Sequence, residues 1–194
     1  MRAIRRGIGT SGAALALLGA LSACGGGNFR PVSDMPVRIG KPYTVRGTTY
    51  VPADQPGYDL VGYASWYGSE SGNRTANGER FRPDWITAAH TSLPLPAYVE
   101  VTALDTGRTI LVRINDRGPF SRGRIIDLSR GAAEELGIRG QGHAAVRVRA
   151  VDPSEKDRKK LRKGKPAEGR PRVGADELEV LRARLAASGN DAGR

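Results

Sequence analysis

The sequence predicts an all-β fold, a small closed barrel with one or two short helices, flanked by flexible N- and C-terminal segments. Residues 98–101 alternate between apolar and polar side chains, residues 105–107 can form a turn, and residues 109–114 return, which indicates a β-hairpin. Residues 61–67 and 144–151 are two further strand candidates. Several short strands within about 90 residues favour a barrel that closes on itself.

One short helix interrupts this pattern of strands. Ser129 can cap a helix over residues 130–136, because a serine side chain readily accepts a hydrogen bond from the first helical turn. Gly137 follows, and glycine adopts the left-handed conformation that ends many helices. We therefore expect a helix of about two turns there.

The first 24 residues have the layout of an export signal. Three arginines give a positive start, an uncharged stretch covers residues 7–21, and small residues lead to Cys24. The apolar run is too short for a membrane-spanning helix, which needs about 20 apolar residues. Leu21-Ser22-Ala23-Cys24 resembles a bacterial lipobox, which predicts removal of residues 1–23 and acylation of Cys24. An ordinary signal peptide followed by an unrelated cysteine is the alternative.

The predicted lipid anchor also predicts a location. The residue after Cys24 is Gly25, whereas an aspartate at this position retains many lipoproteins in the inner membrane. We therefore expect a lipid-anchored protein on the periplasmic face of the outer membrane.

Cysteine and histidine are scarce in this chain. A single cysteine excludes an internal disulfide, so core packing has to hold the fold. One cysteine and two histidines argue against a zinc site, and the sequence implies no cofactor.

The net charge is strongly positive, +11 for the whole chain and +8 once residues 1–23 are removed. In an intracellular protein this charge would suggest nucleic acid as a partner. The export signal directs the inference instead to the anionic polymers of the cell envelope, which are wall carboxylates and lipid head groups.

Composition divides the chain into four segments. They are a signal peptide (1–23), a lipid-anchored linker rich in Gly and Pro (24–58), a folded domain (59–151) and a basic tail (152–194). The charge run of the tail predicts disorder, and its attraction to an anionic wall would weaken with salt. Three leucines at helical spacing predict a short helix over residues 175–187, marginal on its own.

Three motif clusters lie within the predicted folded domain. The first is Ala64-Ser65-Trp66-Tyr67-Gly68 with Thr75-Ala76-Asn77-Gly78-Glu79, and the second is Thr87-Ala88-Ala89-His90 with Leu93-Pro94-Leu95-Pro96. The third is Arg113-Ile114-Asn115-Asp116-Arg117-Gly118-Pro119-Phe120, followed by Arg124-Ile125-Ile126-Asp127-Leu128-Ser129. In this order and spacing they resemble the rare lipoprotein A family of septal lytic transglycosylases. The resemblance covers roughly residues 60–151, about half of the chain.

The resemblance implies a six-stranded double-psi β-barrel that cleaves peptidoglycan glycan strands, preferentially those without stem peptides. The proposed catalytic residues of the family correspond to Asp116, Glu79 and His90. We expect Trp66, Tyr67, Asn115, Arg117 and Asp127 to contact the substrate. Many members also carry a SPOR domain after the barrel. We expect none here, because the 43 residues that follow Val151 are few and highly charged, and this questions septal targeting.

The residues support this chemistry independently, but with alternatives. Cleavage of a glycosidic bond needs a protonated carboxyl group, and a transglycosylase uses the substrate's own 6-hydroxyl as the nucleophile. Asp116 and Glu79 are the available pair, although both lie in sequences typical of turns. His90 has a structural alternative as well. For Asp127 we favour pairing with Arg117 or Arg124, or capping of the following helix, over a direct role.

Two other functions remain open from the sequence. An expansin-like protein would bind the wall through the same barrel without cutting it, since a fold does not decide a function. A hydrolase would need a base that activates water, for which His90 is the candidate.

Overall fold

The computed structural model describes residues 28–68, 70 and 72–191. Eight strands and three α-helices follow in chain order: β1 (Tyr43–Val45), β2 (Thr48–Tyr50), β3 (Asp59–Tyr67), β4 (Thr87–Ala89), β5 (Ala97–Ala103), β6 (Thr109–Asp116), β7 (Arg124–Ser129), α1 (Arg130–Leu136), β8 (Ala144–Ala150), α2 (Glu155–Arg162) and α3 (Ala175–Asp191). The signal peptide and Cys24 lie outside the described residues. Among the described helices, none is long and apolar enough to cross a membrane.

Six of the strands form a closed barrel in the order β3-β7-β4-β6-β5-β8. The pairs β3–β7 and β4–β6 are parallel, and the other four pairs are antiparallel. The expected hairpin is β5–β6, and the two further strand candidates are β3 and β8. The prediction of a small closed six-stranded barrel is confirmed.

The barrel interior is filled by aliphatic side chains at every second position of three strands. Six of them have no exposed surface: Val99, Val101, Val112, Ile114, Val146 and Val148. Alternate residues of a strand point to opposite faces, so this period of two places one face of β5, β6 and β8 inside. Burial of these side chains supplies the main favourable term for folding.

The short helix α1 closes one side of the barrel as the sequence predicts. The Ser129 hydroxyl accepts a hydrogen bond from the backbone N–H of Ala132, and Gly137 ends the helix with φ 86°. Gly131 lies directly against the backbone of Asp84, where a Cβ atom would overlap the Asp84 carbonyl group. A glycine is therefore needed where α1 meets the loop before β4.

The described part of the predicted linker, residues 28–58, lies along the barrel. Arg30 N–H donates to the Gly78 carbonyl at 2.7 Å, and Arg38 and Leu95 exchange two backbone hydrogen bonds of 2.8 Å. Strands β1 and β2 form a hairpin whose turn contains Arg46 at φ 50°. This arrangement differs from a free tether because backbone groups of the segment pair with barrel loops.

The described part of the tail contains α2 and α3 and packs on the barrel. The helix expected over residues 175–187 is present as α3, whereas the structure differs from the disorder predicted from the charge run. Leu161 of α2 is fully buried in the main hydrophobic cluster, and Leu178 and Leu181 of α3 pack against Leu104. Arg170 forms ion pairs with Glu100 on the barrel and with Asp157 in α2. Charged residues of the tail thus form ion pairs with carboxylates, and a few leucines provide the apolar contacts. A count of charges reveals neither the ion pairs nor the leucine contacts.

Candidate active site

A polar cavity of about 380 Å³ opens at the end of β6. The parallel pair β4–β6 places Ala89 beside Asp116 at its rim. Its charged lining residues are Asp116, Asp127, Arg46, Arg74, Arg117 and Arg124, and its aromatic lining residues are Tyr67 and Phe120. Four of the residues predicted from the sequence are therefore brought together here: Asp116, Tyr67, Arg117 and Asp127.

Asp116 is the carboxylic acid at the rim of the barrel. Its Oδ1 atom accepts hydrogen bonds from the backbone N–H groups of Ala76 at 2.7 Å and Arg117 at 2.8 Å. Its Oδ2 atom makes no hydrogen bond with a described residue. Burial raises the pKa of Asp116 above its ordinary value of 3.8, against the opposing effects of the two hydrogen bonds and of Arg117. One oxygen is thus held in place, and the other is free to donate a proton to a ligand.

Glu79 is 1% exposed and does not line the cavity. Its two carboxylate oxygens accept hydrogen bonds from the Arg113 guanidinium, each at 2.8 Å. Asn77 and Asn115 donate to the same oxygens at 3.0 and 2.9 Å. Every direction of approach to this carboxylate is therefore occupied by protein. This geometry favours a positioning role for Glu79 over direct contact with a substrate.

Arg113 is the buried partner of Glu79. It begins the third motif cluster, but its role was not predicted from the sequence. Its side chain is 1% exposed, and its Nε atom lies 3.2 Å from Asp34 Oδ1. The Tyr98 hydroxyl donates to the same Asp34 oxygen at 2.8 Å. The available signal was an arginine at an otherwise apolar stretch of β6, since a buried arginine requires a carboxylate partner.

His90 is 2% exposed and lies at the end of β4. Its Nδ1 atom accepts hydrogen bonds from the backbone N–H groups of Ser92 and Leu93, at 3.2 and 3.1 Å. Burial, with a smaller contribution from Arg117, lowers its pKa from 6.5 to about 4. The imidazole is therefore neutral at physiological pH. The His90 backbone N–H donates to the Asp116 carbonyl oxygen at 3.0 Å, which ties the two motifs together.

Asp127 faces the same cavity from β7. Its Oδ1 atom accepts a hydrogen bond from the Ser65 hydroxyl at 2.7 Å, and Arg124 forms an ion pair with it at 3.2 Å. The predicted pairing with Arg124 is confirmed, and helix α1 is capped by Ser129 instead.

Trp66 and Tyr67 point to different sides of β3, as neighbouring strand residues must. The Trp66 indole N–H donates to the Arg139 carbonyl at 3.1 Å, and this side chain does not line the cavity. Tyr67 does line it and stacks on Phe81 with ring centroids 4.8 Å apart. Its hydroxyl is buried without a hydrogen-bond partner among the described residues. Burial, with the charges of Asp116 and Asp127, raises the pKa of Tyr67 well above 10.

Asn115 lies one position before Asp116 but does not line the cavity. Its side-chain N–H₂ group donates to Glu79, and its backbone carbonyl accepts a hydrogen bond from Asn77 N–H at 3.1 Å. Asn115 therefore links the buried ion pair to the strand that presents Asp116.

Arg117 uses its guanidinium group to fix loops around the cavity. It donates to the backbone carbonyls of Leu93, His90 and Ile39. Arg46 and Arg74 line the same cavity, and neither side chain makes a hydrogen bond or an ion pair with a described residue. Neither arginine was predicted from the sequence. Arg46 lies in the predicted linker, and Arg74 lies just before the motif that begins at Thr75.

The fold and the site together define a double-psi β-barrel with an acidic residue held at the rim of a basic cavity. Residues 59–148 match the family model described as "Lytic transglycolase". The barrel domain of this chain is similar to that family, and the resemblance to rare lipoprotein A proteins is confirmed.

Three relatives share the name "Endolytic peptidoglycan transglycosylase RlpA". The Pseudomonas aeruginosa (strain UCBPP-PA14) protein is 54% identical over 114 residues, which is 58% of this chain and 33% of the relative. The Rickettsia felis protein is 41% identical over 134 residues, 66% of this chain and 59% of the relative. The Neisseria meningitidis serogroup B protein is 44% identical over 115 residues, 58% of this chain and 48% of the relative. The chain thus spans between a third and three fifths of the length of these relatives.

Proposed function

We propose that this protein is a lytic transglycosylase that cleaves the glycan strands of peptidoglycan, preferentially strands lacking stem peptides. The observation that carries the proposal is Asp116, a carboxylic acid with a raised pKa and one free oxygen at the rim of an open cavity. Relatives named peptidoglycan transglycosylases are 54% identical to this chain over 114 residues and 41% identical over 134 residues, which supports the proposal.

Asp116 performs two proton transfers in this proposal. The protonated carboxyl donates its proton to the glycosidic oxygen as the bond from C1 of N-acetylmuramic acid to that oxygen breaks. The 6-hydroxyl of the same muramic residue then attacks C1, and the Asp116 carboxylate accepts the hydroxyl proton. The products are a strand that ends in 1,6-anhydro-muramic acid and a strand with a free 4-hydroxyl. Intramolecular attack needs no bound water, and one carboxyl group suffices.

The other lining residues act on charge and position. The Asp127 carboxylate, held by Ser65 and Arg124, lies in the same cavity and can stabilise positive charge that develops on the sugar ring. Arg117 fixes the loops of the cavity through backbone carbonyls. The Tyr67 side chain lines the cavity and offers an aromatic surface to a sugar.

Glu79 and His90 act behind the reacting group. Glu79 orders Asn77 and Asn115 through a buried ion pair, and the backbone of Asn115 leads directly to Asp116. His90 holds the turn at residues 90–93 and bonds to the Asp116 backbone. We propose both as positioning residues, so their loss lowers activity through the geometry of Asp116.

The location follows the expected export signal. We propose that Cys24 carries a lipid and that the protein sits on the periplasmic face of the outer membrane, with the glycan strand and the membrane as partners. The motifs that precede the described residues support this part of the proposal.

Digestion of purified sacculi tests the activity. Sacculi with and without stem peptides are incubated with the wild-type protein and with Asp116→Asn, and the soluble products are identified by mass. We expect 1,6-anhydro-muramic ends from the wild type alone. Free reducing ends would indicate a hydrolase. Normal binding to peptide-free strands without any product would indicate an expansin-like binding protein.

A further inference from the structure

The cavity around Asp116 carries an excess of positive charge. Four arginines and two aspartates line it, a formal balance of +2 when both aspartates are ionised. Arg124 is paired with Asp127, and Arg117 is committed to three backbone carbonyls. Protonation of Asp116, which its raised pKa favours, would make the balance more positive still.

Arg46 and Arg74 account for this excess. Both side chains are exposed, both line the cavity, and neither is paired with a described carboxylate. A guanidinium group is always charged in proteins and binds a carboxylate through two parallel N–H donors. Two unpaired guanidinium groups beside one cavity are therefore complementary to a carboxylate on the ligand.

The two arginines line the same cavity as Asp116 and come from different elements. Arg46 reaches the cavity from the turn of the β1–β2 hairpin, and Arg74 from the loop after β3. Tyr43 and Tyr50 stack at 5.4 Å and both pack against Phe120, which fixes the hairpin to the cavity wall. Arg46 is thus presented by an anchored element, although it lies outside the barrel.

We propose that Arg46 and Arg74 form a carboxylate-binding site that selects the free lactyl carboxylate of the muramic residue whose C1 bond is cleaved. This inference rests on the proposed function. In a strand with stem peptides the lactyl group is an amide without charge, and in a stripped strand it is a carboxylate. The charge of the cavity thereby determines which strands are bound productively.

The test compares three substrates that separate two sources of carboxylate. Stripped strands carry lactyl carboxylates, stripped strands whose carboxyl groups have been chemically amidated carry none, and intact strands carry carboxylates only on their peptides. We compare the wild type with Arg46→Gln, Arg74→Gln and the double variant. Arg38→Gln is the matched control, because it removes the same charge from an exposed side chain that does not line the cavity.

We expect the wild type to have a lower KM for stripped strands than for amidated ones. Each variant should raise the KM for stripped strands about threefold to tenfold at low salt, with kcat changed less than about twofold. The double variant should treat stripped and amidated strands alike, whereas Arg38→Gln should behave as the wild type. A lysine in place of either arginine keeps the charge but loses the paired donors. Its KM for stripped strands should therefore lie between that of the wild type and that of the corresponding glutamine variant.

Three results would overturn the proposal. The first is an equal wild-type KM for stripped and amidated strands. The second is a preference for stripped strands that survives in the double variant. The third is tighter binding of intact strands than of stripped ones, because that result would assign the bound carboxylate to the peptides. Binding of the same strands to Asp116→Asn separates this proposal from the proposed function. If the wild type cuts no strand, tighter binding of stripped than of amidated strands that depends on Arg46 and Arg74 still supports the carboxylate-binding site. Equal binding of the two strands would refute the site.

Discussion

Arg113 holds both carboxylate oxygens of Glu79 at 2.8 Å while both side chains are 1% exposed. Two charges at this depth are stable because each compensates the other, Asp34 is a second carboxylate partner of Arg113, and Asn77 and Asn115 donate to the remaining lone pairs of Glu79. The pair lies behind the strand end that presents Asp116. Glu79, which the sequence places in a turn, is therefore a buried residue that supports the site.

Glu79→Gln should therefore destabilise the fold. Removing the Glu79 charge leaves the buried Arg113 with Asp34 as its one remaining carboxylate partner among the described residues, and the loss of a buried charge partner costs about 3 kcal/mol. The free energy of unfolding is measured by urea denaturation. Glu134→Gln is the control, because Glu134 pairs with Arg139 at the surface and its loss should cost less than about 1 kcal/mol. An unchanged free energy of unfolding in Glu79→Gln would contradict the stabilising role of this buried ion pair.

Asp116→Asn should reduce glycan cleavage by about 10²–10⁴-fold, the usual contribution of a general acid, and leave the fold intact. The amide keeps an oxygen acceptor for the N–H groups of Ala76 and Arg117. Rates of product release and circular dichroism are measured together. Asp84→Asn, an exposed partner of Arg130, serves as the control and should retain full activity. Substantial cleavage by a folded Asp116→Asn protein would remove this residue from the mechanism.

His90 should make stability depend on pH in the acid range. Its pKa is about 4 in the folded state against 6.5 ordinarily, so the unfolded chain takes up the proton first. Stability should decrease as the pH falls through 6.5 and continue to decrease to about pH 4, by about 3 kcal/mol in total. Urea denaturation at a series of pH values measures this loss. His90→Asn, whose Oδ1 can accept the same two backbone N–H groups, should show a flatter profile over this range. An identical profile in both proteins would contradict the assignment.

Leu161→Ala should destabilise the protein by about 3 kcal/mol, because a fully buried leucine of α2 would leave a cavity in the main cluster. Thermal and urea denaturation provide the measurement. Val180→Ala in α3 is the control, since that side chain is 60% exposed and its truncation should cost less than about 0.5 kcal/mol. An equal free energy of unfolding for Leu161→Ala and the wild type would indicate that α2 does not pack on the barrel and that the tail is disordered.

Cys24→Ala should release the protein from the membrane. The thiol is the predicted acylation site, and lipid chains are what would hold the mature protein there. Osmotic shock and detergent extraction of wild-type and variant cells show which fraction contains the protein. Ser22→Thr, a conservative change within the same motif, is the control and should remain with the membrane. If Cys24→Ala fractionates with the membrane as the wild type does, the anchor prediction is wrong.

Much of the barrel could be predicted from the sequence because its strands follow local rules. The alternation at 98–101 and 109–114 and the glycine-containing turn between them specify the β5–β6 hairpin. Ser129 and Gly137 specify the ends of α1 in the same way. The short β4, with three buried residues, carries no alternation and was not predicted.

The sequence by itself determined the β5–β6 hairpin, two further strands and the capped helix. The export signal and the role of Asp116 as the acid stay predictions. Only the tertiary structure decided which predicted residues share a cavity. It separated Trp66 from Tyr67, buried Glu79 against Arg113, and added Arg46 from a segment that looked like a linker. The physical reason is that burial and ion pairing depend on contacts between residues far apart in the chain. Arg113 and Asp34 are separated by 79 positions, and no local pattern encodes their pairing.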